Sequence, residues 1–268
     1  MRHFRMAWIA LFSTTAALAQ QPAELGIRAG ATFTHGFTAL PARPVSAGVE
    51  IPRIRNSNDG IGVGYVAGIW ARKPFRSFFL QAGVEYQSVV LKQTASIART
   101  DVLAASSFNV EVPALIQPGQ LFASLNVATE STLNSVNVPL HIGKTWKEGR
   151  FRIYAGPSLM FSVQSSADRT VTGRIEPGRV GPNGSIPFPG GPIDRADKVD
   201  LLDRKEAGPL QIKKFNFSAE GGVGLTLLNR LEADLRYTLP VGGIFNDSGI
   251  TGFIGFAALS LSYRLAGF

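Results

Sequence analysis

The chain has no cysteine among its 268 residues. Disulfides, thiolate nucleophiles, cysteine-based metal sites and lipid attachment at an N-terminal cysteine are excluded with it. Histidine is scarce, at three residues, which leaves little for a histidine-based metal centre or general base. Charged residues make up only 17% of the chain, against about a quarter in ordinary soluble domains. Beyond the N-terminal segment no apolar run approaches the roughly 20 residues that a membrane helix needs. A chain poor in charge and without such helices still crosses a bilayer as strands, because a closed barrel satisfies every backbone group.

What is present begins at the N-terminus. Arg2 and Arg5 give a positive start, Met6 to Leu18 form a short apolar stretch, and Ala17-Leu18-Ala19 reads as a small-residue cleavage site. This three-part pattern is that of a cleavable signal peptide. It predicts residues 1–19 as a leader and 20–268 as one mature domain, since no linker separates differently composed halves. Loss of Arg2 and Arg5 takes the formal net charge from +8 to +6. On an exported protein that modest basic excess suits acidic lipid headgroups or lipopolysaccharide better than nucleic acid.

From residue 20 onward the dominant signal is alternation with a period of two, which puts successive side chains on opposite faces of a strand. The clearest segment sets Leu231, Ala233, Leu235, Tyr237 and Leu239 against Glu232, Asp234, Arg236 and Thr238. Seven others run from about Leu25 to Phe33, Ile61 to Trp70, Phe78 to Leu91, Leu133 to Trp146, Phe151 to Val163, Phe215 to Leu227 and Gly252 to Leu265. Each is near or slightly above the roughly 9 to 11 residues that a tilted strand needs to cross a bilayer. The connections alternate in length. Lys73 to Arg76, Lys147 to Arg150 and Leu228 to Arg230 read as hairpin turns, and residues 34–60, 92–132, 164–214 and 240–251 as long links. Short periplasmic turns and long extracellular loops are the asymmetry of outer-membrane barrels. The expected fold is therefore all-β, an eight-stranded antiparallel up-and-down transmembrane β-barrel in the cell outer membrane.

A soluble, lipocalin-like barrel has the same alternation with the faces exchanged. The charges decide between them: Arg28, Glu85, Arg152, Glu220, Glu232, Asp234, Arg236 and Arg264 recur on the polar face, mixed in sign. Such a set pairs up inside a narrow lumen, whereas a soluble surface carries more lysine and less glycine. Aromatic residues are expected to flank the apolar band in two girdles. Phe33, Phe161, Phe215, Phe217 and Phe253 fall toward the long links, and Phe78, Trp146, Phe151 and Tyr263 toward the turns. Lys144 is the misfit, since alternation points it at lipid unless a bulge resets the phase.

The segments Gly26 to Phe33 (GIRAGATF), Val136 to Leu140 (VNVPL), Tyr154 to Ser158 (YAGPS) and Leu235 to Tyr237 (LRY), with the terminal Phe268, together resemble the PorT-like outer-membrane β-barrel family, an outer membrane protein beta-barrel domain. The resemblance implies an eight-stranded barrel in the outer membrane and a link to protein secretion. An aromatic terminus after an alternating last strand also resembles the signal by which the barrel-assembly machinery recognises its clients, although Ala266 and Gly267 interrupt the alternation.

No catalytic, cofactor or metal constellation is expected. His3 leaves with the leader, His35 sits at the mouth of the first long link, and His141 points inward as a hydrogen-bonding residue. Glu232 and Asp234 share a face, but Arg236 and Arg264 are available to neutralise them. Asp194, Asp197, Asp200 and Asp203 recur every third residue. Their spacing fails the ordered pattern of a calcium loop, and Arg195, Lys198 and Arg204 interleave, so a solvated mixed-charge loop is expected. The function expected is a non-enzymatic envelope barrel with a side-chain-filled lumen and partner-contacting loops, serving protein secretion or envelope integrity. Its expected partners are outer-membrane lipid and lipopolysaccharide, the barrel-assembly machinery and a secretion-system or envelope protein, with no nucleic acid. The competing classes are a narrow pore or transporter and a lipid-modifying or proteolytic barrel enzyme.

Overall fold

A computed structural model describes residues 22–46, 48–111, 116–146, 150–178 and 190–267. The expected leader, turn residues 147–149 and Phe268 lie outside the described residues. The strands are β1 (Glu24–Leu40), β2 (Arg43–Ser46), β3 (Val49–Ile51), β4 (Ile54–Asn58), β5 (Gly62–Pro74), β6 (Phe79–Asp101), β7 (Leu121–Trp146), β8 (Phe151–Pro177), β9 (Gly191–Asp200), β10 (Phe215–Leu228), β11 (Leu231–Val241) and β12 (Thr251–Gly267). Eight of them close a ring of antiparallel pairs in the order β1, β5, β6, β7, β8, β10, β11, β12 and back to β1. Closure pairs the backbone groups that an open sheet edge would leave bare in the bilayer.

Alternation within each ring strand sorts its side chains. Ile69, Leu80, Ile142, Ile153, Val223, Leu235 and Leu259 all face outward and are exposed, while Arg28, Glu85, His141, Arg152, Glu232 and Asp234 face inward and are buried. An apolar exterior around a polar interior inverts a soluble barrel and is what a bilayer requires. Lys144 stays on the outward row, because the β7–β8 register runs unbroken through Lys144 and Ile153. Its ammonium lies 5.6 Å from the centre of the Trp146 ring, at the turn end where a snorkelling lysine finds water.

The long links are folded to a greater extent than the sequence suggested. β6 continues to Asp101, β7 begins at Leu121 and β8 extends to Pro177, so residues read as links are strand. β9 adds to the outer part of β8, β4 bridges β1 and β6, and β2 and β3 form a separate hairpin. In this extension the polarity reverses. Val89, Leu91, Ala95 and Ile97 of β6, Leu125, Val127 and Leu133 of β7, and Ala167, Val171 and Ile175 of β8 point inward and are buried. The outer halves of these strands thus carry the core of a water-soluble protein, and the reversal marks where each strand leaves the membrane. On β8 it requires a phase change: Ser135 faces Ser162 but Asn134 faces Gln164, so Val163 is an extra, bulged residue.

A lid closes the ring at this end. Ile212 N donates to Leu201 O at 2.8 Å, Lys213 N to Ile244 O at 2.8 Å and Asn246 N to Gln211 O at 2.8 Å, knitting two links together. Gly242 and Gly243 hold the consecutive left-handed φ values of 74° and 70° that this turn needs. Beneath it, Leu201, Ala207, Ile212 and Ile244 pack on Val89, Leu133, Met160, Ala167 and Phe256 from the barrel wall.

Candidate functional site

The inward charges form one continuous chain of alternating sign. At the turn end Glu24 meets Arg72 at 3.2 Å and Arg264 at 3.0 Å, and both arginines reach Glu232 at 2.9 Å. Arg152 spans Glu232 at 2.8 Å and Asp234 at 2.7 Å. Arg28 then links Asp234 at 3.4 Å to Glu85 at 2.8 Å. Glu85 also binds Arg236, which reaches Glu220 at 3.3 Å, and Glu220 ends the chain at His141 Nε2, 2.9 Å away. Five arginines thus balance five carboxylates in this chain. A balanced chain solves a physical problem, since an unpaired charge inside the barrel would carry an uncompensated desolvation penalty of several kcal/mol.

All eight residues that the sequence placed in a lumen network belong to this chain. Glu24 and Arg72 belong to it as well and lie just outside the alternating segments, which start at Leu25 and end at Trp70. Carrying the same parity from Trp70 to Arg72, or from Gly26 back to Glu24, places both inward.

Large side chains fill the space around the chain, and glycines on neighbouring strands make room for them. A Cβ on Gly26 would meet Trp70 Cζ2 at 2.3 Å, and one on Gly224 would meet Arg152 Nε at 2.4 Å. The Arg72 guanidinium lies 4.6 Å from the Trp70 ring centre and 5.2 Å from that of Phe79, a cation–π arrangement that holds it against an otherwise apolar wall. Above the charges comes a neutral polar belt, in which Asn137 donates to Gln87 and in which Ser158 Oγ, Ser218 Oγ and His141 Nδ1 are buried without a hydrogen-bond partner among the described residues. The apolar lid contacts follow, over a cavity of about 90 Å³. The turn end opens instead into a vestibule of about 530 Å³ bordered by Glu24, Arg72, Arg150, Arg152 and Arg264.

The candidate acid/base pair has no free carboxylate. Glu232 accepts from Arg72 and Arg264, and Asp234 from Arg152, Arg28 and Ser262. The aspartates of β9 and its surroundings act separately: Asp197 binds Arg169, Asp200 accepts from Leu202 N at 2.8 Å and Asp203 from Lys205 N at 2.8 Å. Among the described residues there is no group of three or more histidine or carboxylate side chains placed to hold a metal.

The outward aromatic residues lie in two rows. Toward the lid, Phe161 and Phe215 pack with ring centres 5.2 Å apart, Phe253 stacks with Phe37 at 6.3 Å, Phe217 is exposed and Phe33 is half-buried. Toward the turns, Phe78 stacks with Phe75 at 4.6 Å, and Trp146, Phe151 and Tyr263 are exposed.

Several solved structures match the chain at low identity. Ail, the attachment invasion locus protein of Yersinia pestis, matches at 8% identity and a TM-score of 0.32, over 91% of this chain and 99% of that one. Neisserial surface protein A matches at 11% and 0.28, over 89% and 97%. The outer membrane protease OmpT from Escherichia coli matches at 7% and 0.27, over 92% and 97%. Among curated proteins none matches the chain in sequence. The family described as outer membrane protein beta-barrel domain matches residues 18–246. With a closed eight-stranded ring, an apolar exterior and a charge-filled interior already in hand, that match settles the placement: the chain belongs to the outer membrane protein beta-barrel domain family and is a β-barrel of the bacterial outer membrane.

Proposed function

We propose that this barrel neither conducts nor catalyses, and acts through the folded structure it raises above the membrane. The observation that carries this reading is the blocked lumen, crossed by the alternating arginine–carboxylate chain and closed by the lid. An eight-stranded ring has an interior only wide enough for side chains, and here those side chains are mutually paired. The buried His141, Glu232 and Asp234 offer no surface on which a substrate would meet them. The outer halves of β6, β7 and β8, with β9, by contrast, have their own apolar core and present a polar exterior. The resemblance to PorT-like barrels makes a secretion-system or envelope protein one class of partner for that exterior, with lipopolysaccharide and outer-membrane lipid around the belt below. Planar-bilayer recording of the purified protein tests the reading. The expected result is no steady current, and a conductance comparable to that of a porin would overturn it.

A further inference from the structure

β9 is the last strand on its side of the extension. It pairs with β8 along one edge, and no described strand pairs with the other. The β8–β9 register continues to Leu201, whose N–H donates to Ser165 O at 3.0 Å. In an antiparallel ladder alternate residues turn their backbone groups to opposite sides. Leu201, Val199, Asp197 and Arg195 therefore turn theirs to β8, leaving Asp194, Ala196 and Lys198 to offer theirs at the free edge.

The side chains of this edge are complementary to their own reverse. When two copies are laid antiparallel about Ala196, Asp194 faces Lys198 and Ile193 faces Val199, each match occurring twice, while Arg195 and Asp197, which also come opposite each other, are already held by Glu111 and Arg169 of their own chain. Other nearby registers bring like charges together. A slip of one residue in one direction sets Asp194 against Asp197, and in the other Arg195 against Lys198; pairing about Arg195 or Asp197 sets that residue against itself. The register chosen by charge is also the one in which Asp194, Ala196 and Lys198 meet with their free backbone groups. Asp194 has no ion-pair partner among the described residues, and the pair that Lys198 makes with Asp168, at 3.5 Å, is mostly exposed.

We propose that β9 is a self-association edge, pairing antiparallel with β9 of a second copy about Ala196. This rests on the reading that the protein acts through its external structure, and it names the partner. β9 runs back toward the barrel, so an antiparallel β9 runs away from it. The second molecule is therefore inverted, with its barrel in a facing membrane.

The absence of native cysteine makes the test direct. Paired residues that exchange hydrogen bonds have Cα atoms about 5.5 Å apart, within the span of a disulfide. The full-length Ala196→Cys protein, reconstituted in vesicles, is expected to give covalent dimers on oxidation and to tether vesicle to vesicle, whereas Thr172→Cys on the outward face of β8 is not. Adding Lys198→Asp sets Asp194 against a carboxylate twice and is expected to lower the dimer yield roughly tenfold. Adding Asp194→Lys to that variant exchanges the signs and is expected to restore the yield. Dimer yield no greater than that of the Thr172 control, yield indifferent to Lys198→Asp, or dimers formed without vesicle tethering would each overturn the proposal. None of these outcomes touches the closed-barrel reading, which bilayer recording decides separately.

Discussion

Leu235 stands on the outward row of β11, half-exposed, with Val223 and Leu259 beside it on the neighbouring strands. An arginine there meets lipid, and Leu235→Arg is expected to cost about 2 to 4 kcal/mol in reversible unfolding from vesicles. One residue away Asp234 is fully buried and binds both Arg28 and Arg152. Asp234→Ala leaves two guanidinium groups short of a partner, and a loss of about 3 to 5 kcal/mol is expected in the same measurement. Asp234→Asn keeps an acceptor and should fall well below that. A loss for Asp234→Ala no larger than for a surface alanine substitution would show that water supports these arginines. The rows themselves were legible in the sequence, because adjacent side chains on a pleated strand must point oppositely. The partners were not: Arg28 meets Glu85 and Asp234, which lie 57 and 206 residues away, and no local pattern encodes which strands stand next to each other in the ring.

At the scale of an element, β8 is two strands in one, joined at the bulge of Val163. Deleting Val163 leaves Ser165, Ala167 and Val171 on the inward side, so insertion and a folded extension are expected. Inserting one residue after Val163 turns the outer half over and exposes Ala167, Val171 and Ile175 to water. The barrel is then expected to insert while the extension becomes sensitive to limited proteolysis from outside; resistance equal to that of the unaltered protein would deny the bulge this role. The Asp247 carboxyl is held below its ordinary range by the N–H of Gly249 and by Arg43, and the lid is expected to respond to pH through it. Its contribution is present above the unfolded carboxylate value near pH 4 and is lost as pH falls through the lower folded value. Protease cleavage within residues 242–250 is therefore expected to rise only in acid below about pH 4, and Arg43→Ala to move that rise to higher pH. These features were hidden in the sequence because the outer strands reverse their polarity. Alternation that changes sign midway reads as the end of a strand, and so the first 10 residues beyond Leu91 read as link although β6 runs to Asp101.

For the whole molecule the proposed closed barrel has two separate barriers, the lumen chain and the lid. Opening the lid with Ile244→Asp is expected to leave bilayer current at background, since the arginine–carboxylate chain still crosses the lumen below it; porin-like current from that variant would show that the lid alone seals the barrel. By itself the sequence determined the class of fold, the number of membrane strands, which face of each meets lipid and which end carries the long links. Those are consequences of the two-residue repeat of a strand and of the length of a bilayer, and both act locally along the chain. The tertiary structure alone decided that five arginines and five carboxylates join into one chain, that the links fold into a strand extension with its own core, and that β9 is left as an edge. These depend on which strands the closing ring brings side by side, and residues far apart in the chain acquire their partners only when it closes.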